Sequence, residues 1–326
     1  MEQARQVKAT GMKTGLRVAA TVAMLAWLST HVELSTLRLP AIHPATYVWL
    51  TAALSMTVAG IMLSALRWQR VLVAMDLPAP MGTLVRHQLA GMFVGSFLPT
   101  TIGGDFLRAS RLAASNGETP GSVASVVLER LTGWLVLPFL SLLALLVNPN
   151  LVRVAPGPAR TAMWVAMTTL VLLAMVLLAA AHPELGRRMS GQDGWRRFTG
   201  AVHLGLDRVR RRPGLAFEIL TAGFAYQLSV MLAAFLAAKT LGLGVGWTAI
   251  LAFFPVVAIV QVLPITIGGL GTREAALVFF LGPLGVARPD AFALGLLVYF
   301  INLGVSLLGA PAFAVGTRRT PVATGH

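Results

Sequence analysis

The chain has 326 residues, 56% of them hydrophobic and 12% charged, about half the charged share of an ordinary soluble domain at roughly 25%, which argues against a soluble enzyme. Cys is absent and the six His and twelve acidic residues are scattered without ligand spacing, so disulfides, thiolate chemistry, a metal site, a cofactor and a catalytic set are not expected. The net charge of +14 sits beside apolar runs, where anionic lipid headgroups balance it, and no nucleic-acid partner is expected.

In chain order the apolar segments lie near 16–30, 46–66, 82–98, 121–147, 161–181, 214–238, 247–263, 272–285 and 290–316. A helical crossing takes about 20 residues, which 46–66, 121–147, 161–181, 214–238 and 290–316 supply directly. The first segment reaches that length through His31–Leu34; it follows Lys8, Lys13 and Arg17 and has no A-x-A-like cleavage site, so it reads as a retained helix. Basic residues crowd the N-terminus, the 182–213 stretch and the tail at Arg318 and Arg319, whereas 31–45 and 148–160 hold only Arg38, Arg153 and Arg160. The N-terminus, the 182–213 loop and the C-terminus are therefore expected on the cytoplasmic side of a bacterial inner membrane. Within that loop Trp195, Phe198, Val202, Leu206 and Val209 recur at helical spacing among arginines. They predict an amphipathic helix on the anionic leaflet that anchors two halves of the molecule.

With those sides assigned, 82–118 must return to the side it came from, and so must 247–289, from the opposite face. The two returns share a string. Leu98-Pro99-Thr100-Thr101-Ile102-Gly103-Gly104 matches Leu263-Pro264-Ile265-Thr266-Ile267-Gly268-Gly269 at six of seven positions. Pro stops a helix and the Gly pair permits a tight reversal, while broken backbone at membrane depth survives only when buried or lining a cavity. The fold class expected is an all-α polytopic membrane protein: a single membrane domain built as an inverted-topology repeat, with halves at about 1–150 and 160–318. It has about six full crossings and two opposed re-entrant hairpins, with a substrate site where the broken helices meet.

Charges in these segments are costly and mark pairs, interfaces or hydrated cavities. Arg86 and His87 lie in the first half-helix, Asp105, Arg108 and Arg111 follow the first tip, Glu129 and Arg130 lie a third of the way into 121–147, and Arg273 and Glu274 follow the second tip. Two readings stand. Glu129 with Arg108 and Arg130 with Asp105 form internal pairs that lock the hairpin to its neighbour, or these side chains bind substrate. Arg86, Arg108, Arg130 and Arg273 outnumber Asp105, Glu129 and Glu274, and surplus guanidinium suits an anion, a lipid phosphate above all in a bilayer.

The ordered set Leu98-Pro-Thr-Thr-Ile-Gly-Gly-Asp105-x-x-Arg108, then Glu129-Arg130, then Leu263-Pro-x-x-x-Gly-Gly-Leu-Gly-x-Arg273-Glu274 resembles the lysylphosphatidylglycerol synthase transmembrane-region family, whose members are also called flippase-like domain proteins. The resemblance runs over almost the whole chain. It implies a membrane region that moves a phospholipid between leaflets, with Asp105, Arg108, Glu129, Arg130, Arg273 and Glu274 at the site. The chain ends at His326, soon after the last span, so the soluble aminoacyltransferase domain of the bifunctional members is expected to be absent, and the synthase activity does not carry over. The function expected is a lipid translocase for an anionic or zwitterionic phospholipid, with a lipid-synthesising enzyme as a possible partner. The alternative is a membrane-embedded enzyme or subunit acting on a lipid-linked sugar or phosphate; a scaffold for an envelope pathway is a third reading.

Overall fold

The computed structural model describes residues 43–97, 103–181, 205–262 and 266–314, with residues 200 and 203. Among the described residues there is no strand. The helices are α1 (Pro44–Ala74), α2 (Met81–Phe97), α3 (Gly103–Asn116), α4 (Thr119–Val147), α5 (Asn150–Val154), α6 (Pro156–Ala181), α7 (Pro213–Thr240), α8 (Trp247–Gln261), α9 (Thr272–Leu281), α10 (Arg288–Ser306) and α11 (Gly309–Ala314). Five of these, α1, α4, α6, α7 and α10, are long and apolar enough to cross a bilayer, which makes this a multi-pass membrane protein. The expected crossing at 16–30, the motif residues Pro99 and Pro264 and most of the basic 182–213 stretch lie outside the described residues.

Local chemistry sets the helix ends. His43 Nδ1 accepts the Ala45 amide at 3.2 Å, and Pro44 occupies the first turn, where its missing N–H costs nothing. The 31 residues of α1 make a rod of about 46 Å, against a hydrocarbon core of about 30 Å. Its last turn exposes carbonyls that need donors. Arg212 donates to the Val73 carbonyl at 3.1 Å and pairs with Asp76 at 2.8 Å, and Arg208 donates to the Met75 carbonyl. Val209 packs on Ala74, Met75, Leu128 and Ile219. Arg208 and Arg212 thus close the C-terminus of α1, where cationic groups also meet the helix dipole favourably.

The main core joins α4, α6, α7, α8, α9 and α10 through small residues such as Ala144, Ala159, Ala162, Ala234 and Ala249, with Phe253 stacked on Phe280 at 5.3 Å. Small side chains let apolar helices approach closely when no hydrophobic drive separates protein from lipid. Ser141 of α4 donates to the Ala252 carbonyl of α8 at 2.6 Å, and Asn148 to Thr248 at 2.9 Å. α1 lies along α7, while α2 and α3 pack on each other. A Cβ placed on Gly104 would fall on the Gly91 carbonyl oxygen, so these two helices meet backbone to backbone.

One expected element divides. The apolar run 290–316 is not a single helix: α10 ends at Ser306, a turn passes through Leu307 and Leu308, and α11 starts at Gly309. Pro311 accounts for the break, since its ring would clash with the Leu307 carbonyl in a continuous helix.

Candidate functional site

The first charged region gathers side chains from three helices. Glu129 of α4 is 2% exposed, and its Oε1 accepts from Arg67 Nε at 3.1 Å, from Arg67 Nη2 and from Ser64 Oγ at 3.2 Å, all from α1. Its Oε2 accepts from Arg108 Nη2 of α3 at 3.2 Å. The same Nη2 reaches Asp105 Oδ1 at 2.6 Å, and Arg130 closes a two-point pair on Asp105, with Nη2 to Oδ1 at 2.9 Å and Nε to Oδ2 at 2.7 Å. Arg67 also lies over the Tyr226 ring at 4.7 Å, and Arg108 over Trp68 at 5.0 Å, cation–π contacts that help offset the loss of water around each guanidinium. Three arginines thus face two carboxylates, and every oxygen of both carboxylates is engaged.

The second region is built differently. Gly268, Gly269 and Gly271 carry φ of 60°, 74° and 84°, a left-handed run that glycine tolerates and that turns the chain into α9. The Gly271 amide donates to Glu274 Oε2 at 2.6 Å, and Thr266 and Thr272 share a hydroxyl hydrogen bond at 2.9 Å. Arg273 is 7% exposed and Glu274 fully buried. Arg273 Nε lies 3.4 Å from Glu274 Oε1, but neither atom has a hydrogen-bond partner, and Arg273 Nη2 has none either. This pair is a charge contact with unused donors on the guanidinium.

A stripe on α10 links that region to a cavity. A Cβ on Gly295 would meet the Glu274 side chain, Arg273 lies over the Tyr299 ring at 5.4 Å, and Asn302 lines the cavity. Residues 295, 299 and 302 are spaced i, i+4 and i+7, so they share one helix face. The cavity, about 90 Å³, is bounded by Thr57 and Ser64 of α1, Gln88 of α2, Tyr226 of α7, Phe254 of α8 and Asn302. It therefore lies on the seam between α1–α2 and α7–α8–α10. Its Ser64–Gln88 wall, joined at 3.2 Å, carries straight into the first charged region, because Ser64 donates to Glu129 and Gln88 accepts from Arg108.

The family model of the lysylphosphatidylglycerol synthase TM region matches residues 15–309, which include both charged regions and the cavity between them. The chain belongs to that family. Membership ties it to lipid-related membrane function. No curated protein matches the chain.

Of the residues picked out from the sequence, Asp105, Arg108, Glu129 and Arg130 come together, and both expected internal pairs are present: Glu129 with Arg108 and Arg130 with Asp105. Arg273 and Glu274 are adjacent but belong to the separate region on α9. Gly103 and Gly104 open α3, while Gly268 and Gly269 precede α9. Arg86 does not join. It is exposed and bonds along its own helix to the Gly82 carbonyl and Thr83 hydroxyl, both at 3.3 Å. Arg111 is buried and donates to the Ala312 and Phe313 carbonyls at 2.8 Å, tying α3 to α11. Sequence reasoning does not single out Arg67, nor Ser64, Gln88, Tyr226 and Asn302. The available signal was the apolar run Val71–Ala74 after Arg67, which keeps Arg67 inside the helix rather than at its end.

Proposed function

We propose that this protein moves a phosphate-bearing lipid between leaflets, with the phosphate held by Arg273 and the headgroup in the seam cavity. The observation that carries this reading is Arg273 itself: a buried guanidinium whose Nη2 has no hydrogen-bond partner and whose Nε has only a charge contact with Glu274 at 3.4 Å. Leaving such donors unpaired costs about 1–3 kcal/mol or more for a charged group, a cost that an arriving phosphate removes by taking both in a forked geometry. The α10 stripe leads from this group to a cavity walled by residues of both halves of the chain, the location expected of a site offered alternately to two faces. The α2–α3 and α8–α9 pairs act as the two opposed re-entrant hairpins of an inverted repeat. Their short helices, of 17, 14, 15 and 10 residues, and the glycine-rich starts of α3 and α9 support that reading. Asp105 and Glu129 are both committed to arginines, which supports translocation over chemistry on a lipid-linked sugar or phosphate, since a general base needs a free carboxylate. The membrane is the bacterial inner membrane, with the 182–213 loop facing the cytoplasm.

The test is leaflet exchange of labelled phosphatidylglycerol in proteoliposomes. The wild-type protein is expected to equilibrate the label, and Arg273→Lys to slow exchange about tenfold, because a point charge cannot reproduce a two-point grip on phosphate. Exchange at the rate of protein-free vesicles would contradict translocation. Full activity in Arg273→Lys would remove Arg273 from the phosphate site.

A further inference from the structure

We infer that the lipid taken into the seam cavity carries an uncharged, hydroxyl-bearing headgroup on its phosphate, such as glycerol or a sugar, and not a cationic aminoacylated one. The inference rests on the translocase reading above and names the substrate class of the same site. The first ground is the chemistry of the wall. Thr57, Ser64, Gln88, Tyr226 and Asn302 supply hydroxyl and amide groups in a wall otherwise apolar, with Ile61, Met92, Val230 and Phe254, and no charged residue lines the cavity among the described residues. Thr57 donates to Ala53, Ser64 to Glu129 and Asn302 to Val298, so these groups chiefly offer oxygens that accept the O–H donors of a polyol.

The second ground is the state of the carboxylates. An ammonium leaving water for a membrane-buried cavity needs an anionic partner. Behind the Ser64–Gln88 wall stands Glu129, whose two oxygens already serve Arg67, Ser64 and Arg108. Asp105 serves Arg108 and Arg130. Glu274 has one oxygen without a hydrogen bond, but it is fully buried, with Gly295 against its side chain and Arg273 beside it. The cavity thus lies between two regions that present guanidinium in excess or in reserve, and a second positive charge entering it meets repulsion without a counter-ion. Size agrees. About 90 Å³ accommodates roughly six to nine water-sized centres at about 10–15 Å³ each, the scale of one glycerol group rather than of glycerol extended by a lysyl chain.

The experiment measures leaflet exchange in phosphatidylcholine proteoliposomes of three probes side by side: labelled phosphatidylglycerol, labelled lysylphosphatidylglycerol and soluble glycerol phosphate. Wild type is expected to exchange phosphatidylglycerol at least about tenfold faster than the lysyl lipid, the discrimination that about 1.4 kcal/mol provides. Asn302→Asp, a near-isosteric change at the open side of the cavity, adds a carboxylate there and is expected to bring that ratio towards one or reverse it. Thr57→Asp repeats the test from α1 should the first variant fail to insert. Exchange of both lipids with the lysyl lipid equal or faster in wild type overturns the headgroup assignment and leaves translocation standing. A ratio unchanged in both carboxylate variants also overturns it, because the cavity then does not read the headgroup. Exchange of neither lipid, with or without uptake of glycerol phosphate, overturns translocation itself.

Discussion

The two charged regions use the same residue types for opposite ends. Around Glu129 three guanidiniums and two carboxylates from α1, α3 and α4 are cross-linked, with each carboxylate oxygen occupied. Around Arg273 a single pair sits in contact at 3.4 Å with donors left over. Arg67 Nη1 also lacks a hydrogen-bond partner, but the other two nitrogens of Arg67 both grip Glu129. A network tied at that many points holds helices in one arrangement, whereas Arg273 has a single charge contact and two unpartnered nitrogens. The difference separates a lock from a seat: the first region fixes α3 and α4 on α1, and the second awaits an anion. Between them the Ser64–Gln88 wall belongs to the lock and Asn302 lies on the stripe that leads to the seat, so the cavity touches both.

The sharpest way to break this comparison is to open the lock. Glu129→Ala removes the anion that Arg67 and Arg108 share and leaves two buried guanidiniums with less to bind. It is expected to destabilise the protein by about 3–5 kcal/mol, read as a lowered unfolding midpoint in detergent. An unchanged midpoint would mean that the network does not hold the helices. A smaller effect is expected where α2 meets α3. Gly104→Ala forces a methyl into the Gly91 carbonyl and separates the two helices, at about 1–3 kcal/mol. Gly269→Ala meets the Gln261 side chain at 3.0 Å from a φ of 74°, with roughly 1–2 kcal/mol of left-handed strain. Both are expected to slow lipid exchange, and normal exchange in Gly269→Ala with loss only in Gly104→Ala would favour a site served from one face.

How much of this was legible beforehand follows from what each feature asks of the sequence. Crossing helices need only length and hydropathy, and the segments at 46–66, 121–147, 161–181 and 214–238 are seen as α1, α4, α6 and α7, with α1 running eight residues further, to Ala74, and α6 starting five residues earlier, at Pro156. The pairs Glu129–Arg108 and Arg130–Asp105 were readable because a charge inside an apolar run must find a partner. Arg67 escaped because a basic residue near the end of an apolar run looks the same whether it anchors at the interface or turns inward. Only the burial of α1 against α4 and α7 decides between them. The cavity escaped for a different reason. Thr57, Ser64, Gln88, Tyr226 and Asn302 are neutral residues on four helices, and no spacing along the chain marks their convergence. The break in 290–316 was readable in Pro311, whose demand on the preceding turn outweighs the apolar run around it.

The division into lock and seat is tested most directly by the rise in melting temperature that short-chain phosphatidylglycerol induces in the detergent-solubilised protein, compared between Arg67→Lys and Arg273→Lys. A ligand that binds the folded state alone raises stability in proportion to the logarithm of its occupancy. The prediction is a lowered starting midpoint in Arg67→Lys with the lipid-induced rise retained, and a near-native starting midpoint in Arg273→Lys with that rise largely lost. The reverse pattern, a full rise in Arg273→Lys and none in Arg67→Lys, would move the phosphate to the Glu129 region and contradict the account.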